Sequence, residues 1–280
     1  MPDTTAVLQA VALDIAEHVI AICERYGLRY YLAEGSLLGA ARHQGFIPWD
    51  DDMDLALPRA DYDRLLQLLP LELPDGYRLV AFRTSEHHLR FFAQVERTSI
   101  TVCEDHFVVP FVRGMWIDLF PIDGMPRNRV ARWLHLKRLL WLRVSAQIAK
   151  ADESINLDRS RPGLRRLFVR ACMRCARLFH VSTRKRLIRY ENAAKRYRAE
   201  ETGWTVSIGS LYKGRTVLPL DCYGDGAVLP FMGRPWRVPA QYERVLTALY
   251  GDYRQLPPLE RRVGHQLQIL HTTTNGENQP

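Results

Sequence analysis

No stretch of this 280-residue chain approaches the ~20 consecutive apolar residues that span a bilayer. The first residues, MPDTTAVLQAVALDIAEHV, carry acids within a helical pattern and lack the basic start and apolar run of a secretory signal, so a cytoplasmic protein is expected. Cysteine is scarce and odd in number: Cys23, Cys103, Cys172, Cys175 and Cys222. That count argues for reduced thiols over a disulfide framework. Cys172 and Cys175 form a CxxC without a second ligand pair, which is half of what a structural zinc site needs. There is no internal repeat, and no Gly/Pro-rich linker forces a domain boundary. Acid is nearly absent from 159–198, where fourteen Arg or Lys stand against Glu191 alone.

What is present is ordinary for a globular protein, 47% hydrophobic and 25% charged, with a net charge of +8. Apolar spacing at three and four predicts an opening helix over 5–26, stopped by Gly27. A short aromatic-rich strand is expected over 28–33, a brief helix over 37–44 ended by Gly45, a strand over 53–57 broken by Pro58, and a helix over 60–69. Strands are expected near 77–83, 89–98 and 100–112, and one over 115–123. Helices rich in arginine follow at 126–150 and 162–200, then one at 240–250.

Residues 34–57, EGSLLGAARHQGFIPWDDDMDLAL, carry the chemistry. Asp50, Asp51, Asp52 and Asp54 occupy four of five positions, a crowding in which each carboxylate raises its neighbours' pKa unless a cation intervenes. In a strand, residues two apart share a face, so Asp52 and Asp54 would point one way while Met53 and Leu55 enter the core. Asp118, between Ile117 and Leu119, is a third acid in an apolar strand, costly unless paired with an arginine or bound to metal. Two or three such carboxylates suit Mg²⁺, or Mn²⁺, beside a phosphate. Gly35-Ser36 leads into a helix whose free N–H groups could seat that phosphate, although Ser36 could simply cap the helix. Arg42 and His43 on that helix, and Arg59 after the strand, are candidate phosphate contacts against the plainer reading of surface side chains. His265 is a weaker candidate, and Trp49 reads better as a core wedge than as a stacking platform. The helix in 162–179 has one apolar face and one cationic face; it reads as a solvated surface or as peripheral contact with an anionic membrane or lipid-linked glycan. No recognition motif supports nucleic acid.

Gly35-Ser36, the run AARHQGFIPWDDDMDLALPRADYDRL, the strand WIDLFPIDG and the terminal YGDYRQLPPLERRVGH together resemble the LicD family of phosphotransferases, which is similar to fukutin-type proteins. The resemblance is strong over roughly 15–125 and weaker over 236–265. It implies an α+β fold, a nucleotidyltransferase (polymerase-β-like) mixed sheet with additional helices. The division expected is a core over 1–125, a helical Arg-rich region over 126–235 facing acceptor or membrane, a C-terminal motif over 236–270 packed on the core, and a disordered tail over 271–280. It further implies a CDP-alcohol donor, Mg²⁺, a glycan or lipid-linked glycan acceptor, and release of CMP. Asp52 and Asp54 match the paired metal ligands, Asp118 the third acid, and Gly35 and Ser36 the phosphate-contacting turn. Asp50 and Asp51 become supporting loop residues. Two rival readings stay open: a nucleotidyltransferase releasing pyrophosphate, and a non-catalytic lipid- or RNA-binding protein.

Overall fold

A computed structural model describes residues 4–85, 88–104, 111–154, 182–210, 212–262, 264 and 267–272. Cys172, Cys175, the apolar-cationic helix expected at 162–179 and His265 lie outside the described residues, as do residues 273–280 of the tail expected over 271–280, whose first two residues instead end a strand.

Helix α1 (Thr4–Arg25) opens the chain. Its length and mean hydropathy of 1.8 over an 18-residue window would allow it to cross a membrane. The line Leu8, Val11, Ala12, Ile15, Val19 and Ile22 is buried in the main core, however, which is the signature of a core helix. Strand β1 (Tyr31–Leu32) leads into α2 (Glu34–His43), which starts three residues earlier than its apolar pattern indicates. Strand β2 (Asp54–Pro58) runs directly into α3 (Arg59–Glu72), with Pro58 closing the strand and preceding the first helical turn.

Beyond β3 (Tyr77–Val80), the strands expected at 89–98 and 100–112 join into a long β4 (Ala93–Glu104). A register shift between Arg97 and Thr101 marks the seam. β5 (Phe111–Gly124) pairs antiparallel with β4 and parallel with β2, so it is central to the sheet. The sheet order is β1-β2-β5-β4-β10, with β10 (Gln268–Thr272) beside the second half of β4 and β3 beside the first. The C-terminal strand therefore completes the same sheet that α1 packs against. At its far end β5 also pairs with β6 (Trp204–Val206), which pairs with β7 (Leu218–Pro219). The result is a mixed α+β fold.

The helices α4 (Arg129–Ser154) and α5 (Thr183–Ala194) pack on each other. A second core of Met125, Leu139, Leu142, Tyr190, Ala193, Val206 and Ile208 joins them to β6. The helical turn α6 (Ala199–Thr202) precedes β6; the hairpin of β8 (Ala227–Phe231) and β9 (Arg234–Val238) and helix α7 (Tyr242–Tyr250) follow β7. Through Phe231 and Trp236 the hairpin joins the main core.

Candidate active site

Asp54 opens β2 and stands in direct register with Asp118 of β5, and Asp118 stands in register with Gln94 of β4. Adjacent strands lie about 4.8 Å apart, so these three side chains form one row across the centre of the sheet. Alternation along β5 sends Met115, Ile117 and Leu119 to one face and Trp116, Asp118 and Phe120 to the other. Asp54 is 7% exposed and Asp118 8%. One oxygen of Asp118 accepts a hydrogen bond from the Gln94 amide. The Gln94 carbonyl accepts one from Arg113 at 2.5 Å, and Arg113 lies 3.6 Å from Glu96 and over the Trp116 ring. The carboxylate row thus has a fixed wall on its β4 side.

Burial is the largest influence on Asp54, followed by the charges of Asp52, Asp118, Glu34 and Asp50. All five push its carboxyl well above the ordinary carboxylate range. Asp50, Asp51 and Asp52 are themselves gathered, with one oxygen from each within 4.8 Å of the others. Asp52 lies just before β2, whose pairing with β5 Met53 already joins by accepting the Asp118 N–H at 2.9 Å. The charge of Asp52 acts on Asp54, as its two-residue spacing leads one to expect, and so does that of Asp50.

Gly35 and Ser36 form the first turn of α2, not a turn ahead of it. The Ser36 hydroxyl accepts the backbone N–H of Asp54 at 2.9 Å, and the N–H of Ala33 donates to the Asp54 carbonyl at 3.0 Å. Ser36 therefore ties the helix start to the acid strand. A Cβ at Gly35 would stand 2.5 Å from an Asp50 carboxylate oxygen, so only glycine lets that acid approach the helix end. At the other side of the acid loop, a Cβ at Gly264 would meet the Trp49 carbonyl at 2.2 Å, which is how the C-terminal motif closes on the loop. Trp49 packs on the main core under Arg262.

Two of the basic candidates, Arg42 and Arg59, are engaged by distant parts of the protein. Arg42 and His43 occupy the last turn of α2, the end away from Gly35. Arg42 donates to the carbonyls of Tyr253 at 3.2 Å and Gln255 at 3.3 Å, pinning the C-terminal segment. Burial, then Arg42, pushes the His43 imidazole down. Arg59 forms a two-pronged pair with Asp123 at 2.6 and 2.9 Å and reaches Asp63 at 3.3 Å. Asp123 lies five residues beyond Asp118 on β5, about 16 Å along the strand. Arg42 and Arg59 each have a protein partner distant in sequence, whereas His43 meets the neighbouring Arg42.

Several neighbours of the row escaped the sequence reading. Glu34 has a backbone φ of +46°, in the left-handed region that a non-glycine residue rarely adopts and that marks local strain. Burial is the main cause that carries its carboxyl up to about 7; a hydrogen bond from Ser210 and the charge of Arg143 oppose it, and Asp118 reinforces it. Arg143 crosses from α4, buried, to donate to the carbonyls of Ile208 and Ser210, the second at 2.7 Å. Gly209 rests on Phe120, whose ring lies 4.5 Å from that of Phe92. Tyr212 and Tyr250, rings 4.9 Å apart, have phenols raised first by burial; both also feel Glu34 and Asp54. The one local signal was a second Gly-Ser pair, Gly209-Ser210, in the otherwise unplaced region.

A family model described as LicD/FKTN/FKRP, nucleotidyltransferase domain, matches residues 27–136, the segment that carries α2, the acid loop, β2 and β5. Residues 27–136 are a domain of the LicD family. Over 266 residues, 93% of this chain and 95% of the relative, the chain is 28% identical to the lipopolysaccharide cholinephosphotransferase LicD of Haemophilus influenzae. Over 55 residues it is 47% identical to the ribitol 5-phosphate transferase FKRP of Homo sapiens, covering 20% of this chain and 11% of that one. A Rickettsia typhi protein, the uncharacterized RT0683, is 44% identical over 52 residues, 19% of this chain and 17% of the relative. The kinship to named transferases makes the chain a phosphotransferase.

Proposed function

We propose that this LicD-family chain moves a phospho-alcohol, phosphocholine-like or a polyol phosphate, from a CDP-alcohol donor to a hydroxyl of a surface glycan or its lipid-linked precursor. The observation that carries the reading is the in-register pair Asp54 and Asp118, with Asp52, Asp50 and Glu34 pressed against Asp54. The activities for which the Haemophilus relative and FKRP are named support the phospho-alcohol over other cargoes. A core of the nucleotidyltransferase (polymerase-β-like) type and a cytoplasmic, membrane-peripheral setting belong to the same proposal.

The donor set is carboxylate oxygen throughout, which fits Mg²⁺ or Mn²⁺, and Asp52, Asp54 and Asp118 would hold it. When bound, such a cation neutralises charge on the donor's phosphoryl oxygens. In the reaction, the acceptor hydroxyl oxygen forms a bond to the phosphorus bearing the alcohol. The bond from that phosphorus to the bridging oxygen breaks, and CMP departs with the bridging oxygen and its electron pair. The hydroxyl proton passes to a carboxylate, for which Asp118 is suited because Gln94 fixes one of its oxygens. Glu34, protonatable near neutrality beside the row, is placed to contact the donor or relay a proton.

The test is CMP release from CDP-choline, CDP-ethanolamine, CDP-glycerol and CDP-ribitol in the presence of glycan acceptor and Mg²⁺. CMP from one donor, dependent on acceptor, is the expected result. Pyrophosphate release from a nucleoside triphosphate, with no CMP from any donor, would replace this reading with the nucleotidyltransferase one.

A further inference from the structure

The inner face of α4 is used up. Leu139 and Leu142 pack against Tyr190, Ala193 and Ala194, Ala146 packs against Leu187, and Arg143 reaches the loop beside Glu34. The outer face is unlike an ordinary solvated helix surface. Val130, Trp133, Leu134, Trp141 and Val144 fall within about 100° of arc on a 3.6-residue helix, and all are exposed, Trp133 by 57% and Trp141 by 68%. Single exposed apolar residues need no explanation, but two tryptophans and three aliphatics in one stripe do.

The charges around the stripe indicate what covers it. Arg127, Arg129, Lys137 and Arg138 are exposed along its length, with the Lys137 ammonium 5.5 Å from the Trp133 ring. Between 126 and 150 there is not one Asp or Glu. A protein partner for an apolar stripe does not by itself call for an acid-free surround. A surface that is apolar at depth and anionic at its rim does, and indole rings partition to the boundary of such a surface.

We propose that the outward face of α4 docks on an anionic lipid bilayer, lying in the plane of the interface with Trp133 and Trp141 inserted among the headgroups. The helix cannot span the bilayer, because its opposite face is held by α5 and the sheet. Docking through this face would put α4, and the loop that Arg143 reaches beside Glu34, between the lipid surface and the acid row. The proposal stands independently of the transfer reaction.

Flotation of the full chain tests it, with vesicles of phosphatidylglycerol and phosphatidylcholine in equal parts and with vesicles of phosphatidylcholine alone. The wild-type chain is expected to float with the anionic vesicles at low salt, less so at high salt, and not with the neutral ones. The double variant Trp133→Ala/Trp141→Ala should partition at least tenfold less. Lys137→Glu/Arg138→Glu should lose roughly thirtyfold or more, about fivefold for each basic charge removed. All four altered side chains are exposed, so unchanged thermal melting verifies that the variants fold. Absence of flotation by the wild-type chain, or flotation of the tryptophan variant equal to wild type, overturns the proposal. So does a wild-type dimer that the tryptophan variant dissociates, since the stripe would then belong to a second copy. CMP release with a soluble acceptor, measured on the same variants, reports on the transfer reaction separately.

Discussion

Strand β5 holds two buried aspartates with opposite surroundings. Asp123, 1% exposed, is met by the two-pronged guanidinium of Arg59. Asp118, 8% exposed, is met by a neutral amide on one side and by Asp54 on the other. The same residue type on the same strand is thus a finished ion pair at one end and a member of a carboxylate cluster at the other. Burying a carboxylate is ordinary when its counter-charge is part of the fold. Burying several together concentrates negative charge that a bound cation would relieve.

The sharpest way to break this comparison is to alter each end in turn. Asp54→Ala and Asp118→Asn should each lower acceptor-dependent CMP release by about 10³-fold or more, the scale on which phosphoryl transfer loses a charge-stabilising group. Their thermal melting should stay level or rise, because a repulsive neighbour is gone. Asp123→Asn should do the reverse. It leaves Arg59 without its main partner and should cost about 3–5 kcal/mol of stability in urea titration, with turnover per folded molecule within a few-fold of wild type. Equal losses of stability at both ends would erase the distinction.

Ser36→Ala sharpens it further. It strands the buried N–H of Asp54 and should cost about 1–3 kcal/mol. If Ser36 instead served the donor's phosphate alone, stability would be unmoved and KM would rise. Glu34→Gln is expected to lower activity by about 10–100-fold, in the range of groups that orient a metal's ligands, with little change in melting.

The smallest effect belongs to His135, a buried group that escapes the same conflict by losing its charge. Burial, then Arg138 and Arg196, pushes its imidazole down to about 4. Between that value and the ordinary ~6.5 of an unfolded histidine, the unfolded chain binds the proton and the folded chain does not. Stability therefore falls as pH drops from about 6.5 towards 4, and His135→Gln should flatten that part of the melting-versus-pH curve. An unchanged slope would show that the imidazole is not held neutral by the fold.

How much of this was legible depended on where each partner lay in the chain. The core helix α1 and the acid strands could be read locally, since apolar spacing and an aspartate between isoleucine and leucine carry their own cost. The pairing of Asp54 with Asp118 followed from the same cost. Asp52 could be read beside Asp54 from their two-residue spacing, while Asp50, read as a supporting loop residue, acts on Asp54 as well. Arg42 and Arg59 misled because a basic residue beside a phosphate motif looks the same whether its partner is a ligand or, as for Arg59, an aspartate 64 positions away. Glu34, Tyr212 and Tyr250 meet only through tertiary packing, so no local pattern announced them, and Ser210 had only the Gly209-Ser210 pair to mark it. The α4 stripe was hidden for a different reason: a helix with apolar residues on both faces shows its exposed face only after the other has been packed.

The most direct measurement is the shift in melting temperature on adding Mg²⁺, compared between the two ends of β5. A cation bound at a hundred times its dissociation constant stabilises the fold by about 2.7 kcal/mol. Wild type and Asp123→Asn should show the same upward shift from their different starting points, while Asp54→Ala and Asp118→Asn show none. A wild-type chain indifferent to Mg²⁺ and Mn²⁺, or a shift that survives loss of both Asp54 and Asp118, would contradict the assignment of the acid row as a metal centre.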